Sequence, residues 1–169
     1  MRLKVLKKHP NSKMCFVCGI ENSFGLKSSF YELEDQQFMA VFKPAEEHQG
    51  YPGRLHGGIA ATILDETLGR SIMVAGLDDV WGVTIDFSLK YRKPVPLDEE
   101  IRVLARVTSE KNRYFLATGE IILADGSIAV TAQGKYLKLD IDKIADFDHE
   151  GEEWLVLSDG DDPEYVEVP

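Results

Sequence analysis

Apolar residues at Ala60, Leu64, Leu68 and Ile72 recur every four positions, which is the stripe of a helix laid against a core. The residues ahead of this stripe, Gly50 to Gly58, are rich in glycine and include Pro52, so a loop runs directly into the start of the longest helix in the chain. Elsewhere the period is two. Leu26 to Glu32 and Phe38 to Phe42 are predicted strands joined by a turn at Asp35-Gln36, and Pro44 stops the second. After the helix, Gly76 and a turn at Asp78-Asp79 lead into the cleanest alternation of the sequence. Val83, Ile85, Phe87, Leu89 and Tyr91 interleave with Thr84, Asp86, Ser88 and Lys90, which predicts one buried and one polar face. Pro94-Val95-Pro96 forbids helix. Ile101, Val103, Ala105 and Val107 form the next strand, Tyr114 to Leu123 another, and Asp125-Gly126 a tight turn into the last, Ile128 to Leu139.

The resulting order, β-β-α-β-β-β-β, has a single long helix and hairpin-like links, whereas a parallel sheet needs a crossover helix between strands. The fold class is therefore α+β: a six-stranded antiparallel sheet wrapped around one helix. One helix and six strands leave sheet edges and part of the helix uncovered, and a second copy of the chain is the economical cover, so at least a homodimer is expected.

The 169 residues are 44% hydrophobic, an ordinary composition for one domain with a core. The net charge of -10 is unevenly placed: residues 140–169 hold twelve Asp and Glu against one Lys, leaving 1–139 close to neutral at about +1. This divides the chain into a folded unit, 1–139, and an acidic C-terminal extension, 140–169, either mobile or docked through Trp154. The body stays free to bind an anionic ligand, and it lacks the basic stripe with interleaved aromatics that nucleic acid demands. No apolar run approaches the roughly 18 residues of a membrane span, and the basic N-terminus lacks a signal peptide's apolar block, so a soluble cytoplasmic protein is expected.

Two adjacent carboxylates on the helix have different surroundings. Glu66 has Arg70 at i+4, an exposed ion pair in waiting. Asp65 has Ala61, Thr62, Leu68 and Gly69 as its helical neighbours and finds no cation among them, a costly position for a carboxylate unless something uses it. Cys15 and Cys18, the only cysteines, form a Cys-x-x-Cys. Two thiolates alone do not complete a zinc site, although a symmetric oligomer could bring four together, and nothing nearby suggests a thioredoxin-type unit. They are expected to be reduced and packed, with no part in the mechanism and no metal.

His56-Gly57-Gly58, Asp65 seven residues after Gly58, and a strand containing Thr84-Ile85-Asp86-Phe87 and ending Tyr91-Arg92-Lys93-Pro94 resemble the hotdog-fold acyl-CoA thioesterases of the phenylacetate-type and human thioesterase-superfamily branch. The resemblance covers roughly residues 15 to 139. It implies that amides at the helix start, at Gly57 and Gly58, polarise the thioester carbonyl, as unpartnered N–H groups at the positive end of a helix dipole would. It implies that Asp65 is the general base or nucleophile, and that Thr84 holds the attacking water. The pair His48-Gln49 stands where related enzymes carry a polar residue ahead of the His-Gly-Gly, with either of the two as its counterpart, and His56 is expected to fix the loop by a hydrogen bond. Arg54, Lys90, Arg92 and Lys93 are the basic residues placed to meet the phosphates of coenzyme A. Leu55, Leu68 and Met73 are expected to line the acyl pocket. No cofactor is implied beyond the coenzyme A of the substrate.

Gly57 and Asp65 are eight residues apart, roughly 12 Å along a helix rising about 1.5 Å per residue. One thioester cannot reach both on one helix, so the oxyanion donor and the base acting on it are expected from two subunits, in a homodimer or a dimer of dimers. The alternatives on the same fold are a non-catalytic acyl-CoA binder, which has no need of an unpaired Asp65, and a dehydratase or hydratase, which needs a catalytic histidine that His56 is poorly placed to supply.

Overall fold

The structure is a computed structural model of the chain, and it describes residues 1–74, 76–77, 79–146, 148, 154–158 and 160–169. Its strands are β1 (Arg2–His9), β2 (Ser29–Leu33), β3 (Phe38–Phe42), β4 (Trp81–Tyr91), β5 (Ile101–Glu110), β6 (Tyr114–Ile122), β7 (Ile128–Leu139) and β8 (Tyr165–Glu167), and the helix α1 is Gly57–Arg70. They form one antiparallel sheet in the order β4-β7-β6-β5-β3-β2-β1-β8.

The sheet therefore has eight strands and not the expected six. The added two come from segments whose composition hides their geometry. In β1, Leu3 and His9 are buried between exposed lysines, so its inward positions are few and charge dominates the pattern. β8 is three residues in an acidic run, yet it pairs with β1 and buries Val166, while Val168 just beyond it is also buried. The acidic extension is thus docked. Trp154 packs at a tilt against Trp81 with ring centroids 4.9 Å apart, Leu155 bridges Asn11, and Asp162 accepts from Lys8 Nζ at 2.6 Å and Tyr31 Oη at 2.8 Å.

Boundaries moved where the backbone turns. The second strand begins at Ser29 and not Leu26 because Lys27 takes a positive φ of 49°, which interrupts extended chain. The turn at Asp35-Gln36 is made with Gln36 at φ 64°, and Asp35 Oδ1 accepts from the Gln37 amide. Asp78, half of the turn expected before β4, lies outside the described residues. The helix starts two residues ahead of its first apolar residue, Ile59.

Helix α1 packs across β3 to β7 with Ala60, Ile63, Leu64 and Leu68 sealed in the core, and a 3-10 turn, Ser71–Met73, carries the stripe on to Ile72. Close approach needs glycine: a Cβ at Gly119 of β6 would stand 2.4 Å from Leu68 Cδ1. β4 departs from expectation. Its apolar positions do not make a buried face, since Ile85 is 49% and Tyr91 56% exposed. β4 is the edge of the sheet beside α1, so the face that alternation marks as apolar is open in a single chain. No helix among the described residues is long and apolar enough to cross a membrane.

Candidate active site

The start of α1 is set by His56. Its backbone is extended (φ -62°, ψ 132°), and its Nδ1 accepts from the Gly58 amide at 2.9 Å, a side-chain N-cap. The next two amides, of Ile59 and Ala60, both turn to the His56 carbonyl. Of the two amides expected at an oxyanion, Gly58 is therefore committed to the cap, and the Gly57 N–H on the exposed helix end has no partner among the described residues. Tyr91 at the end of β4 donates its hydroxyl to the Gly57 carbonyl at 2.7 Å, which anchors this turn to the sheet edge.

His48 is buried, and both of its ring nitrogens are engaged. Nδ1 accepts from the Ala45 amide at 2.9 Å, Nε2 donates to the Phe24 carbonyl at 2.8 Å, and the His48 carbonyl accepts from the His56 amide. With both nitrogens spent on backbone groups, the ring is a fixed bracket for the loop.

Asp65 sits two turns down α1, half-buried. Its Oδ1 accepts from Thr84 Oγ1 at 2.8 Å and from Tyr136 Oη at 3.2 Å. Thr84 and Tyr136 are direct partners in the β4–β7 ladder, and the register slips immediately afterwards, leaving Ile85 without a partner. The pair points two hydroxyls at one carboxylate oxygen. Tyr136 is fully buried against Phe115, with centroids 5.1 Å apart, and Gly134 makes its space: a Cβ there would lie 2.7 Å from the phenol oxygen. Burial raises the Asp65 pKa above its ordinary 3.8, opposed by the hydrogen bonds from Thr84 and Tyr136 and reinforced by Glu66. Burial and the Asp65 charge push the Tyr136 phenol upward, so it stays a donor.

A carboxylate with a raised pKa, oriented by two hydroxyls and open to solvent on one side, suits proton abstraction from water or attack on an acyl carbon. The same α1 presents an open amide at its other end. Comparisons with known proteins bear on the family and the fold. The thioesterase superfamily model matches residues 52–130, which holds the loop, α1, Asp65 and Thr84. Human acyl-coenzyme A thioesterase 13 is 31% identical over 97 residues, 57% of this chain and 67% of the relative. The chain belongs to the thioesterase superfamily.

Rat acyl-coenzyme A thioesterase THEM4 is 28% identical over 130 residues, 76% of this chain and 55% of the relative, so the chain spans about half the length of that protein. Among solved structures, a thioesterase superfamily protein superposes with a TM-score of 0.67 at 29% identity, over 73% of this chain and 59% of the other.

Around this thioesterase-family core the other expected residues fall apart into groups. Lys90 and Arg92 share an open cleft of about 340 Å³ with Arg106 and Glu120 on the outer side of the sheet. Arg54 and Lys93 do not line it, and the Arg54 side chain meets the Gly53 carbonyl. The expected acyl-pocket residues also separate. Leu55 and Leu68 are closed in the core, and Met73 alone of the three lines the small cleft, about 100 Å³, that contains Asp65, Thr84 and Trp81. Glu66 does pair with Arg70, Oε1 to Nε at 2.7 Å, but Arg70 is 4% exposed and sandwiched between the Phe30 and Trp154 rings, so the pair is not the exposed one expected.

The residue missed altogether is Tyr136. It is one apolar-looking position in a strand, 71 residues from Asp65, and only the register of β4 on β7 connects them.

Proposed function

We propose that this chain is an acyl-CoA thioesterase, hydrolysing the thioester to a carboxylic acid and free coenzyme A in a homodimer whose active sites each draw on two subunits. The observation that carries the reading is Asp65 itself, a half-buried carboxylate on α1 whose only side-chain partners, among the described residues, are two neutral hydroxyl donors.

Asp65 takes a proton from water, or attacks the carbonyl carbon directly. Thr84 and Tyr136 hold the reacting oxygen's neighbour, Oδ1, and leave Oδ2 for this work. The negative charge that grows on the carbonyl oxygen is met by the Gly57 N–H at a helix start, in the field of the helix dipole. Both groups lie on α1 about 12 Å apart by helical rise, so the Gly57 facing a given Asp65 belongs to the second copy. The open β4 edge, with Ile85 and Tyr91 exposed, supports the pairing of copies along that side. Lys90 and Arg92, with Arg106 in one cleft, are the stronger candidates for the coenzyme A phosphates, ahead of Arg54 and Lys93.

The test is thiol release from short, long and aromatic acyl-CoAs by the wild type and Asp65→Asn. Turnover by the wild type and its loss in the variant with binding retained support the reading. Binding of several acyl-CoAs with hydrolysis of none makes the protein a binder, and equal turnover in the variant removes Asp65 from the chemistry.

A further inference from the structure

One residue beyond Asp65, Glu66 lines the same small cleft and also reaches the Cys-x-x-Cys loop. Cys15 Sγ, Cys18 Sγ and a Glu66 carboxylate oxygen all lie within 4.8 Å of one another, and both cysteines are free thiols. Tetrahedral coordination of zinc, with Zn–S near 2.3 Å and Zn–O near 2.1 Å, needs donor atoms about 3.5–3.8 Å apart. The three donors thus need only a small contraction to share an ion.

The loop is built to hold its sulfurs in place. The Gly19 amide closes the turn on the Cys15 carbonyl at 2.7 Å, and a Cβ at Gly19 would stand 2.4 Å from that oxygen, so the turn requires glycine. Asn11 Nδ2 donates to the carbonyls of Cys18 and Ser28, tying the two ends of the segment together. The Val17 amide donates to Cys15 Sγ at 3.3 Å, Arg70 Nη2 donates to Cys18 Sγ at 3.1 Å, and Ser12 Oγ lies 3.4 Å from the same sulfur. N–H donors directed at sulfur are the outer partners that orient a metal-bound thiolate.

Charge selects the occupant. Two thiolates and a carboxylate carry three negative charges, Arg70 returns one positive, and a divalent cation neutralises the remainder. Arg70 donates to both Cys18 Sγ and Glu66 Oε1 and is immobilised by its Phe30 and Trp154 ring contacts and by donation to the Pro10 carbonyl, so it stays beside these donors as the balancing charge. Two sulfurs with one carboxylate favour zinc among common divalent ions.

We propose that Cys15, Cys18 and Glu66 bind one zinc ion per chain, with Arg70 as its charge-balancing neighbour and water in the fourth position, reached past the half-buried Cys15 and Glu66. The ion pins the Asn11–Ser28 segment to the second half of α1. It departs from the expectation that the cysteines have no metal, and it is argued from different residues than the thioesterase reading.

The experiment takes the reduced, metal-free full chain and titrates it with cobalt(II), then zinc. One equivalent of cobalt should produce a thiolate-to-cobalt charge-transfer band with tetrahedral visible absorption, and one equivalent of zinc should bleach both. Cys15→Ser and Cys18→Ser should each lose or halve the charge-transfer band, and Glu66→Gln should weaken cobalt binding by more than about tenfold, a loss that removal of an outer-shell partner can already bring. Zinc should raise the Tm of the wild type and leave that of Cys15→Ser unchanged, a comparison that separates ligation from misfolding. Wild type that binds no more cobalt than the double cysteine variant overturns the site, as does a dithiol that oxidises readily to a disulfide while ignoring zinc. Glu66→Gln binding as tightly as wild type removes the glutamate from it.

Discussion

The Tyr136 hydroxyl meets the Asp65 carboxylate at 3.2 Å across 71 residues of chain, and the same hydroxyl lies 3.3 Å from the Asp65 carbonyl. One phenol thus ties both the side chain and the backbone of the proposed base to β7. Tyr136→Phe keeps the ring and its stack on Phe115 and removes only these bonds. A hydrogen bond worth about 0.5–1.5 kcal/mol predicts a fall of about two- to tenfold in kcat/KM for acyl-CoA. Because this bond opposes the rise in the Asp65 pKa, the acid limb of the pH profile should also move to higher pH. A variant with reduced rate and an unmoved limb would assign Tyr136 to packing alone.

Asp65→Asn should lower turnover by about 10²–10⁴, the usual contribution of a positioned general base. The sign of its stability effect follows from the raised pKa. The folded state holds the Asp65 proton more tightly than the unfolded chain, so stability falls as pH rises from the ordinary value of 3.8 through the folded pKa, and above that the buried charge is a standing cost. The variant should therefore match the wild type in thermal stability at acid pH and exceed it at neutral pH. Calorimetry at several pH values checks this; a variant less stable than wild type at pH 7 contradicts it.

How much of this was legible follows from where each constraint resides. Asp65 stood out because helical spacing alone shows that its i±3 and i±4 neighbours include no cation. Tyr136 could not, since its contact depends on which residue of β7 faces Thr84 of β4, and the slip at Ile85 decides that. Arg70 was correctly paired with Glu66 by spacing, but its burial between Phe30 and Trp154 joins three distant segments. The loop glycines looked equivalent, and the cap from His56 distinguishes them. β1 and β8 escaped notice because so few of their residues face inward that charge outweighs period.

The acidic extension should be worth stability and not only solubility. Val166 and Val168 are buried, and at about 1.5 kcal/mol each, deleting residues 154–169 removes about 3 kcal/mol before the Trp154 ring contact is counted. In a domain of this size that is a fall in Tm of about 6–12 °C. Neutralising the exposed Asp161 by Asp161→Asn should leave Tm nearly unchanged. Equal melting of the deletion and the full chain would return the segment to a solubilising role.

The proposed division of each active site between two chains admits a test that single variants cannot give. Gly57 is the first residue of α1, where proline is well tolerated, and His56 before it is already extended, as a residue preceding proline prefers. A Cβ at position 57 meets the Tyr91 ring no closer than 3.6 Å, so Gly57→Pro removes the open amide with little steric cost. Gly57→Pro and Asp65→Asn should each be nearly inactive alone. When the two are unfolded together and refolded as a mixture, half of the dimers contain one chain of each kind. In such a dimer one site gathers both defects and the other, built from the intact Gly57 of one chain and the intact Asp65 of the other, has neither. Random pairing then predicts recovery of about a quarter of wild-type activity per site. If Gly57 and Asp65 of one chain served the same thioester, every site in the mixture would carry a defect and no activity would return.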